Sequence, residues 1–227
     1  MKCMKKLFIF TLGFEEKFAM RMITAHGLDQ GDKLLFITGP MVEKTKRTID
    51  FIKGFIEKYF LGQVQMEIME IKSLESFIGI VSKIYSKITN EEKNYDRIIV
   101  NLSGGMRILV LATYTAIILA TLNRKILEKT KIELETEDLS VKLTIPNILI
   151  KVQELIKLSK EKLEILKCLI EREKTVKELA EELHKDETTI RRHLIDLVEI
   201  GVVKKIEERP TKYKLHKDLK FLLTVLF

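Results

Sequence analysis

The sequence of 227 residues contains only two cysteines, and its apolar runs are short. Cys3 and Cys168 lie far apart and outside any C-x-x-C or Cys/His cluster, so we expect neither a disulfide framework nor a zinc site. The longest apolar stretch, Ile108–Leu122, is shorter than the roughly 20 residues that a membrane span needs. The apolar run Leu7–Leu12 is too short for a secretory signal peptide and is not followed by a small-residue cleavage site. We therefore expect the protein in a reducing cytoplasm, without a membrane partner.

Two nucleotide-binding motifs and a metal-binding pattern are also missing. No G-x-G-x-x-G follows the first predicted strand and no G-x-x-x-x-G-K-S/T occurs, so neither a dinucleotide cofactor nor a P-loop nucleotide is expected. His184, His193 and His216 lack the spacing of metal ligands. No acid–base pair stands out. The sequence therefore predicts no cofactor, no metal and no catalytic residue.

Length and charge favour two domains and permit a nucleic-acid partner. Single domains usually contain about 100 to 150 residues, so a chain of this length is expected to form two. The sequence has 40 Lys and Arg against 33 Asp and Glu, a net charge of +7. This excess is compatible with nucleic-acid contact without requiring it. We place the domains at residues 1–146 and 159–227, joined by a helix at residues 147–158.

The first domain alternates short apolar runs with stretches of helical periodicity. Strands are predicted at residues 7–10, 34–37, 64–71 and 98–100. Helices are predicted up to about residue 26, at 42–59 with an interruption at Gly54, at 74–88 and at 106–122. Strands that alternate with helices form a parallel sheet covered on both faces, so an α/β, Rossmann-like domain is expected. Alternating residues from Ile132 to Leu134 and from Leu139 to Ile145, around an acidic turn at 135–138, predict a closing β-hairpin.

Polar residues follow the first and fourth predicted strands. In a sheet of order 3-2-1-4, these two strands flank the crevice where such folds bind ligands. Paired glycines let backbone N–H groups approach an anion, the next helix adds its positive end, and Arg107 adds a full charge. The alternative is that Gly104 and Gly105 form only a tight turn. The candidate ligand-binding residues are Thr11, Leu12, Gly13, Phe14, Asn101, Ser103, Gly104, Gly105, Met106 and Arg107.

The second domain has the pattern of a winged helix. A helix with an apolar stripe ends near residues 171–173, and Thr175 with Glu178 then forms a capping box for a second helix. Asp186 is a suitable N-cap for a third helix, whose buried stripe is Ile190, Leu194 and Leu197 and which ends at Gly201. Residues 202–206 and 212–215 alternate like the two strands of a wing.

The third helix and the wing carry residues suited to DNA. Arginine can contact guanine through two hydrogen bonds, threonine can contact phosphate or a thymine methyl, and lysines on a wing can contact phosphates. The alternatives are a solvated charged face or a winged helix that contacts protein. The candidate DNA-binding residues are Thr188, Thr189, Arg191, Arg192, Lys204, Lys205, Arg209, Lys212 and Lys214.

The two halves together resemble a known family arrangement. The residues after the first and fourth strands are similar to the motifs of CRISPR-associated Rossmann-fold (CARF) domains, over about residues 5 to 145. Residues 159 to 216 resemble the winged-helix domains of archaeal and bacterial repressors. The combination is similar to archaeal CARF and winged-helix regulators of CRISPR systems. This resemblance implies a homodimer that binds double-stranded DNA and takes cyclic tetra-adenylate as its effector across the two-fold axis.

Enzymatic functions are the alternatives that the sequence leaves open. Some CARF domains cleave their own cyclic ligand, and Thr11, Ser103 and Arg107 could position a phosphate for attack by a ribose hydroxyl. Arg21 and His26 match the Arg-to-His spacing of ribonucleases fused to other CARF domains. Those enzymes use a separate helical domain, so we expect the match to be accidental. If DNA binds and no nucleotide does, a regulator with another effector becomes the better hypothesis.

Overall fold

The computed structural model describes residues 4–60, 62–145, 155, 158–216, 219, 220 and 223. These residues form two compact units, within Met1–Ile145 and within Pro146–Phe227. The helix expected at residues 147–158 lies outside the described residues, apart from residues 155 and 158. No helix among the described residues combines the length and the apolar composition that crossing a bilayer requires.

The first unit is built on a six-stranded sheet of order β3-β2-β1-β4-β5-β6. Its strands are β1 (Lys6–Thr11), β2 (Lys33–Thr38), β3 (Gln65–Glu70), β4 (Arg97–Asn101), β5 (Thr130–Glu135) and β6 (Lys142–Ile145). Its helices are α1 (Lys17–His26), α2 (Glu43–Phe60), α3 (Phe77–Glu91), α4 (Arg107–Ala120) and α5 (Arg124–Lys129). Strands β1 to β5 pair in parallel and β6 pairs antiparallel with β5. The predicted Rossmann-like fold and the 3-2-1-4 order are confirmed.

The sheet is buried on both faces because its central strands are continuous apolar runs. Phe8, Phe10 and Phe36 point to one face and form a core with α1 and α2. The rings of Phe10 and Phe36 stack with their centroids 4.7 Å apart. The alternate residues, such as Leu7 and Ile9, are fully buried on the opposite face. On that side α4 packs against β1 and α3.

Three details differ from the sequence expectations. Helix α2 continues through Gly54, because the buried stripe Ile49, Ile52 and Ile56 holds it against the core and outweighs a glycine penalty of about 1 kcal/mol. Helix α5 was not predicted, since six residues are too few to show a helical period. Leu139 belongs to the turn of the β5–β6 hairpin, where its φ is +61°, and not to a strand.

The second unit is a winged helix. It contains α6 (Lys160–Glu171), β7 (Lys174–Thr175), α7 (Val176–Leu183), α8 (Glu187–Glu199), β8 (Val203–Ile206) and β9 (Lys212–Leu215). The three strands form a sheet of order β7-β9-β8, in which Lys174 and Thr175 pair with Tyr213 and Lys212. The predicted capping box is present, because the Glu178 amide donates to Thr175 Oγ1 (3.2 Å) and the Thr175 amide donates to Glu178 Oε2 (2.7 Å).

Candidate ligand cleft and DNA-binding surface

A cleft of 710 Å³ opens at the carboxyl ends of β1, β2 and β4. Its volume lies within the range of about 300–1,000 Å³ that small-molecule sites usually have. Seven of the ten predicted ligand-binding residues line it, and Thr11, Asn101 and Arg107 do not. The lining residues are Leu12, Gly13, Phe14, Glu15, Lys17, Phe18, Thr38, Gly39, Pro40, Val42, Thr45, Leu74, Ser103, Gly104, Gly105, Met106 and Glu137.

The floor of the cleft is a backbone contact between the loops that follow β1 and β4. A Cβ atom added at Gly13 would lie 3.0 Å from the Gly105 nitrogen. One added at Gly105, whose φ is +90°, would lie 3.1 Å from the Thr11 carbonyl carbon. Thr11 Oγ1 donates a hydrogen bond to the Gly104 carbonyl (2.6 Å). Glycine is therefore needed on both loops, and the Thr11 hydroxyl fastens one loop to the other.

The polar side chains at the end of β4 also support the loop. Asn101 is buried, and its Oδ1 accepts a hydrogen bond from the Ser103 amide (2.9 Å), while its Nδ2 has no hydrogen-bond partner among the described residues. Ser103 Oγ accepts one from the Glu135 amide (2.8 Å), which joins the loop to the end of β5. Asn101 and Ser103 thus hold the loop in shape, a role that the sequence did not predict.

Two helices begin beside the cleft without a side-chain cap. Helices α1 and α4 both begin beside it, after Glu16 and Met106, and neither N-cap side chain accepts a hydrogen bond. In α3 and α8, by contrast, the Ser76 and Asp186 side chains cap the first amides. Uncapped amides at a helix start, together with the helix dipole, favour a negatively charged group.

The side chains that line the cleft carry a net charge of −1, from two glutamates and one lysine. Lys17 pairs with Glu15 (2.6 Å) at the start of α1. Glu137, on the turn after β5, lines the cleft and pairs with none of the described residues. Arg107 is the first residue of α4, directly after the cleft-lining Met106, and is exposed outside the lining. A ligand would therefore meet amide dipoles and apolar surface before it meets a free cation.

The contribution of β2 and of the hairpin turn to the cleft was not predicted from the sequence. Thr38, Gly39 and Pro40 line the cleft at the end of β2. The strand-ending Gly-Pro pair was a usable signal, because carboxyl ends of neighbouring parallel strands share one edge. A Cβ at Gly39 would lie 2.6 Å from Met106 Sδ, so this glycine also permits close packing. Glu137 had no comparable signal, since its position depends on the hairpin register.

Arg21 and His26, the pair with ribonuclease-like spacing, bind carboxylates of β5. Arg21 Nε lies 3.1 Å from Glu135 Oε2, and His26 Nε2 lies 3.0 Å from Glu133 Oε1. Burial alone would raise the pKa of Glu133, but hydrogen bonds from Lys131, Lys142 and His26 lower it to about 2. The pair therefore attaches α1 to β5. Among the described residues, no group of three or more His, Cys, Asp or Glu side chains is arranged to hold a metal ion.

Helix α8 exposes three of its four predicted DNA-binding residues to solvent. Asp186 Oδ2 accepts from the amides of Thr188 (2.9 Å) and Thr189 (3.3 Å), which fixes the start of α8. Thr188, Arg191 and Arg192 are exposed, and Thr189 is half-buried. Helices that enter the major groove by their amino-terminal end expose residues of their first turns in this way.

The predicted DNA-binding cations of the wing differ in exposure and in whether they are paired with carboxylates. Lys204, Lys205, Arg209 and Lys214 are exposed. Lys212 is half-buried and lies 3.3 Å from a carboxylate oxygen of both Glu173 and Glu208. A groove of 630 Å³ separates α8 from the wing, and both Arg191 and Lys205 line it. Lys212 is thus less free to contact phosphate than its neighbours.

Each of the two units matches the model of a known protein family. Residues 6–146 match the model of the Csa3 CRISPR-associated Rossmann-like domain. The chain belongs to this Csa3 domain family. Residues 159–205 match the bacterial regulatory protein, arsR family, which is a winged helix-turn-helix. No curated protein matches the chain. The Csa3 domain is therefore joined to a winged helix-turn-helix, the composition of a CRISPR-associated DNA-binding regulator.

Three solved structures match parts of the chain at low identity. Csm6 from Enterococcus italicus, bound to cyclic hexa-2'-fluoro-hexa-dAMP, is 14% identical with a TM-score of 0.49, over 74% of this chain and 46% of Csm6. The regulator HlyU from Vibrio vulnificus CMCP6 is 24% identical with a TM-score of 0.29, over 36% of this chain and 95% of HlyU. The repressor AdcR from Streptococcus pyogenes is 21% identical with a TM-score of 0.28, over 35% of this chain and 63% of AdcR.

Proposed function

We propose that the chain is a ligand-controlled DNA-binding regulator of a CRISPR system, and that a cyclic oligoadenylate, namely cyclic tetra-adenylate, is its effector. The observation that carries the proposal is the cleft at which α1 and α4 begin without side-chain caps. Such a cleft suits a nucleotide, because phosphates can accept from the free amides while the bases contact apolar lining such as Phe14 and Met106. Family membership supports the same ligand class.

The proposed unit of function is a homodimer in the cytoplasm. Helix α4 exposes Leu111 (59%) and Leu119 (41%), and Leu122 (57%) lies just beyond its last residue. A group of exposed leucines along one helix is typical of a surface that another protein covers. Because α4 starts at the cleft, pairing through this helix would place two clefts side by side around a two-fold axis. A ring of four identical nucleotides has the symmetry to occupy both. Arg107, exposed beside Met106, is proposed to contact the phosphates of such a ligand.

Ligand binding is proposed to change the spacing of the two recognition helices. Residues 1–146 would sense the ligand, residues 159–227 would bind DNA, and residues 147–158 join them in sequence. We propose that DNA is contacted by the residues of α8 and the wing named above. Two-fold symmetry of the protein then predicts palindromic operators whose half-sites lie about 10 base pairs apart, or a multiple of that. A ligand acts in this way only if it favours one geometry over the other.

The test is a calorimetric titration of the full chain with cyclic and linear oligoadenylates, followed by chromatography of the recovered ligand and by gel shifts with DNA. We expect the cyclic tetramer to bind, to be recovered intact and to change DNA affinity. Recovery of linear fragments would make the protein a ring-cleaving enzyme instead. DNA binding without any nucleotide binding would leave a regulator with another effector.

A further inference from the structure

The turn of the β5–β6 hairpin is held by a dense set of hydrogen bonds. Asp138 Oδ1 accepts from Thr136 Oγ1 (2.5 Å), from the Ser140 amide (3.1 Å) and from Ser140 Oγ (2.9 Å). Thr136 Oγ1 in turn accepts from the Val141 amide (3.1 Å). These contacts lower the pKa of Asp138 to about 2. The turn therefore has one defined conformation, although its residues are exposed.

Two neighbouring elements fix this turn against the cleft. Arg21, on α1, donates from Nη1 to the Leu139 carbonyl (2.5 Å) and places Nε 3.1 Å from Glu135 Oε2. Ser103, in the loop after β4, accepts from the Glu135 amide (2.8 Å). The Arg21 guanidinium thus contacts both ends of the turn, at Glu135 and Leu139, and Ser103 of the cleft loop contacts the backbone of Glu135, where the turn begins. The position of the turn is determined by the same loop that forms the floor of the cleft.

Glu137 lies between these attachment points and lines the cleft. The other acidic lining residue, Glu15, pairs with Lys17 at 2.6 Å, whereas Glu137 pairs with none of the described residues. An unpaired carboxylate on a fixed turn repels phosphates, so it opposes binding of a polyanion unless it faces an N–H or O–H donor of that ligand. In an oligoadenylate such donors are the 6-amino group of adenine and the ribose 2'-hydroxyl. Carboxylates accept well from exocyclic amino groups of bases.

We propose that Glu137 is a specificity-determining residue that accepts a hydrogen bond from the adenine 6-amino group, and that Arg21 is its positioning residue. The proposal rests on the proposed function, because it assumes an adenine nucleotide in the cleft. The amides at the start of α4 would hold phosphate, and Glu137, at the β5 end of the cleft, would select the base. Rings whose bases lack an amino group at this position are then bound less well.

The experiment compares the affinities of three rings for the full chain by calorimetry. The rings are cyclic tetra-adenylate, the same ring made from purine riboside, which lacks the 6-amino group, and the ring of 2'-deoxyadenylate. The wild type is expected to prefer adenylate over purine by about tenfold for each hydrogen bond to a charged acceptor, and so by about a hundredfold for a ring that contacts Glu137 of both protomers. Glu137→Ala should reduce this ratio to about one, and Glu137→Gln, which keeps an acceptor oxygen, should give an intermediate ratio.

Control variants separate recognition from folding. Glu57→Ala removes an exposed carboxylate of α2, paired with Lys53 at 3.8 Å outside the cleft, and should leave the ratio unchanged. Arg21→Ala should lower the ratio as Glu137→Ala does, with no further loss in the double variant. Arg21→Lys, which retains a cation for Glu135, should restore part of it. Arg124→Ala, which breaks the exposed contact to Glu128 (2.9 Å), is the matched control for Arg21.

The possible results distinguish this proposal from the proposed function. If the wild type binds cyclic tetra-adenylate but Glu137→Ala keeps the same adenylate-to-purine ratio, base recognition by Glu137 is refuted and the regulator function stands. If the variant instead loses discrimination against the deoxy ring, the donor is the 2'-hydroxyl and the base assignment is wrong. If the wild type binds none of the rings, the proposed function fails and this proposal fails with it.

Discussion

Replacing Gly105 by alanine is expected to destabilise the Rossmann-like unit by about 3 kcal/mol. Two physical effects act at this position. The φ of +90° is a backbone conformation that costs an L-residue about 1–2 kcal/mol. The new methyl group would also lie 3.1 Å from the carbonyl carbon of Thr11 and 3.2 Å from its Cβ. Overpacking of this kind costs about 1–3 kcal/mol, and the lower entropy of the unfolded alanine chain offsets about 0.4–1 kcal/mol.

Gly62 and Gly13 separate the two effects. Gly62 has a φ of +76° and nothing within 4 Å of an added Cβ, so Gly62→Ala should show the backbone cost alone, about 1 kcal/mol or less after the entropy gain. Gly13→Ala should show the close approach alone, because its Cβ would lie 3.0 Å from the Gly105 nitrogen. The expected order of destabilisation is Gly105, then Gly13, then Gly62.

Differential scanning calorimetry of the full chain measures these effects. For a unit of this size, Gly105→Ala should lower the melting temperature by roughly 10 °C, and Gly62→Ala by only a few degrees. A winged-helix transition, where resolved, should not move. Equal shifts for Gly105→Ala and Gly62→Ala would show that the two loops do not meet backbone to backbone, and the account of the cleft floor would then be wrong.

Three further outcomes are expected. The pKa of Glu133 is held at about 2, below its ordinary value of 4.5, so the ionised carboxylate adds about 3 kcal/mol to the free energy of unfolding above pH 5, and this is lost as the pH falls towards 2. In this pH window the free energy of unfolding of Glu133→Gln should depend less on pH than that of the wild type. An equal slope for the two proteins would contradict the assignment. Arg191→Ala with Arg192→Ala should abolish gel shifts of operator DNA and leave ligand affinity intact, each contact being worth about 1–3 kcal/mol; unchanged shifts would refute the recognition helix. Asp186→Ala should destabilise the winged helix by about 1 kcal/mol in urea unfolding, since it removes the N-cap of α8; Glu207→Ala on the exposed wing serves as the control that should not.

The sequence predicted the fold well because the fold depends on local patterns. Apolar runs identify strands that are buried on both faces, as at Leu7–Phe10, and short capping motifs such as Thr175 with Glu178 mark helix starts. Glycine pairs likewise mark the loop after β4. Each of these signals lies within a few residues of the structure that it predicts, so no knowledge of distant contacts was needed.

The internal contacts of the cleft could not be predicted, because they join residues far apart in the chain. The hydroxyl of Thr11 was expected to face a ligand, yet it donates to Gly104, 93 residues away. Ser103 similarly accepts from the amide of Glu135. A threonine or serine hydroxyl can bind the backbone of a loop as well as it can bind a ligand, so the residue type alone does not reveal which role it has. The ligand-binding role of the remaining predicted residues stays a prediction.

Strand β7, the shortest strand among the described residues, connects the wing to the start of α7. Strand β7 contains only Lys174 and Thr175, yet Thr175 both pairs with Lys212 of β9 and caps α7 through Glu178. A local opening that releases the wing would therefore also uncap a helix of the DNA-binding motif. Native-state hydrogen exchange should find the amides of β9 and of the first turn of α7 opening together, with one common free energy, as a single cooperative element.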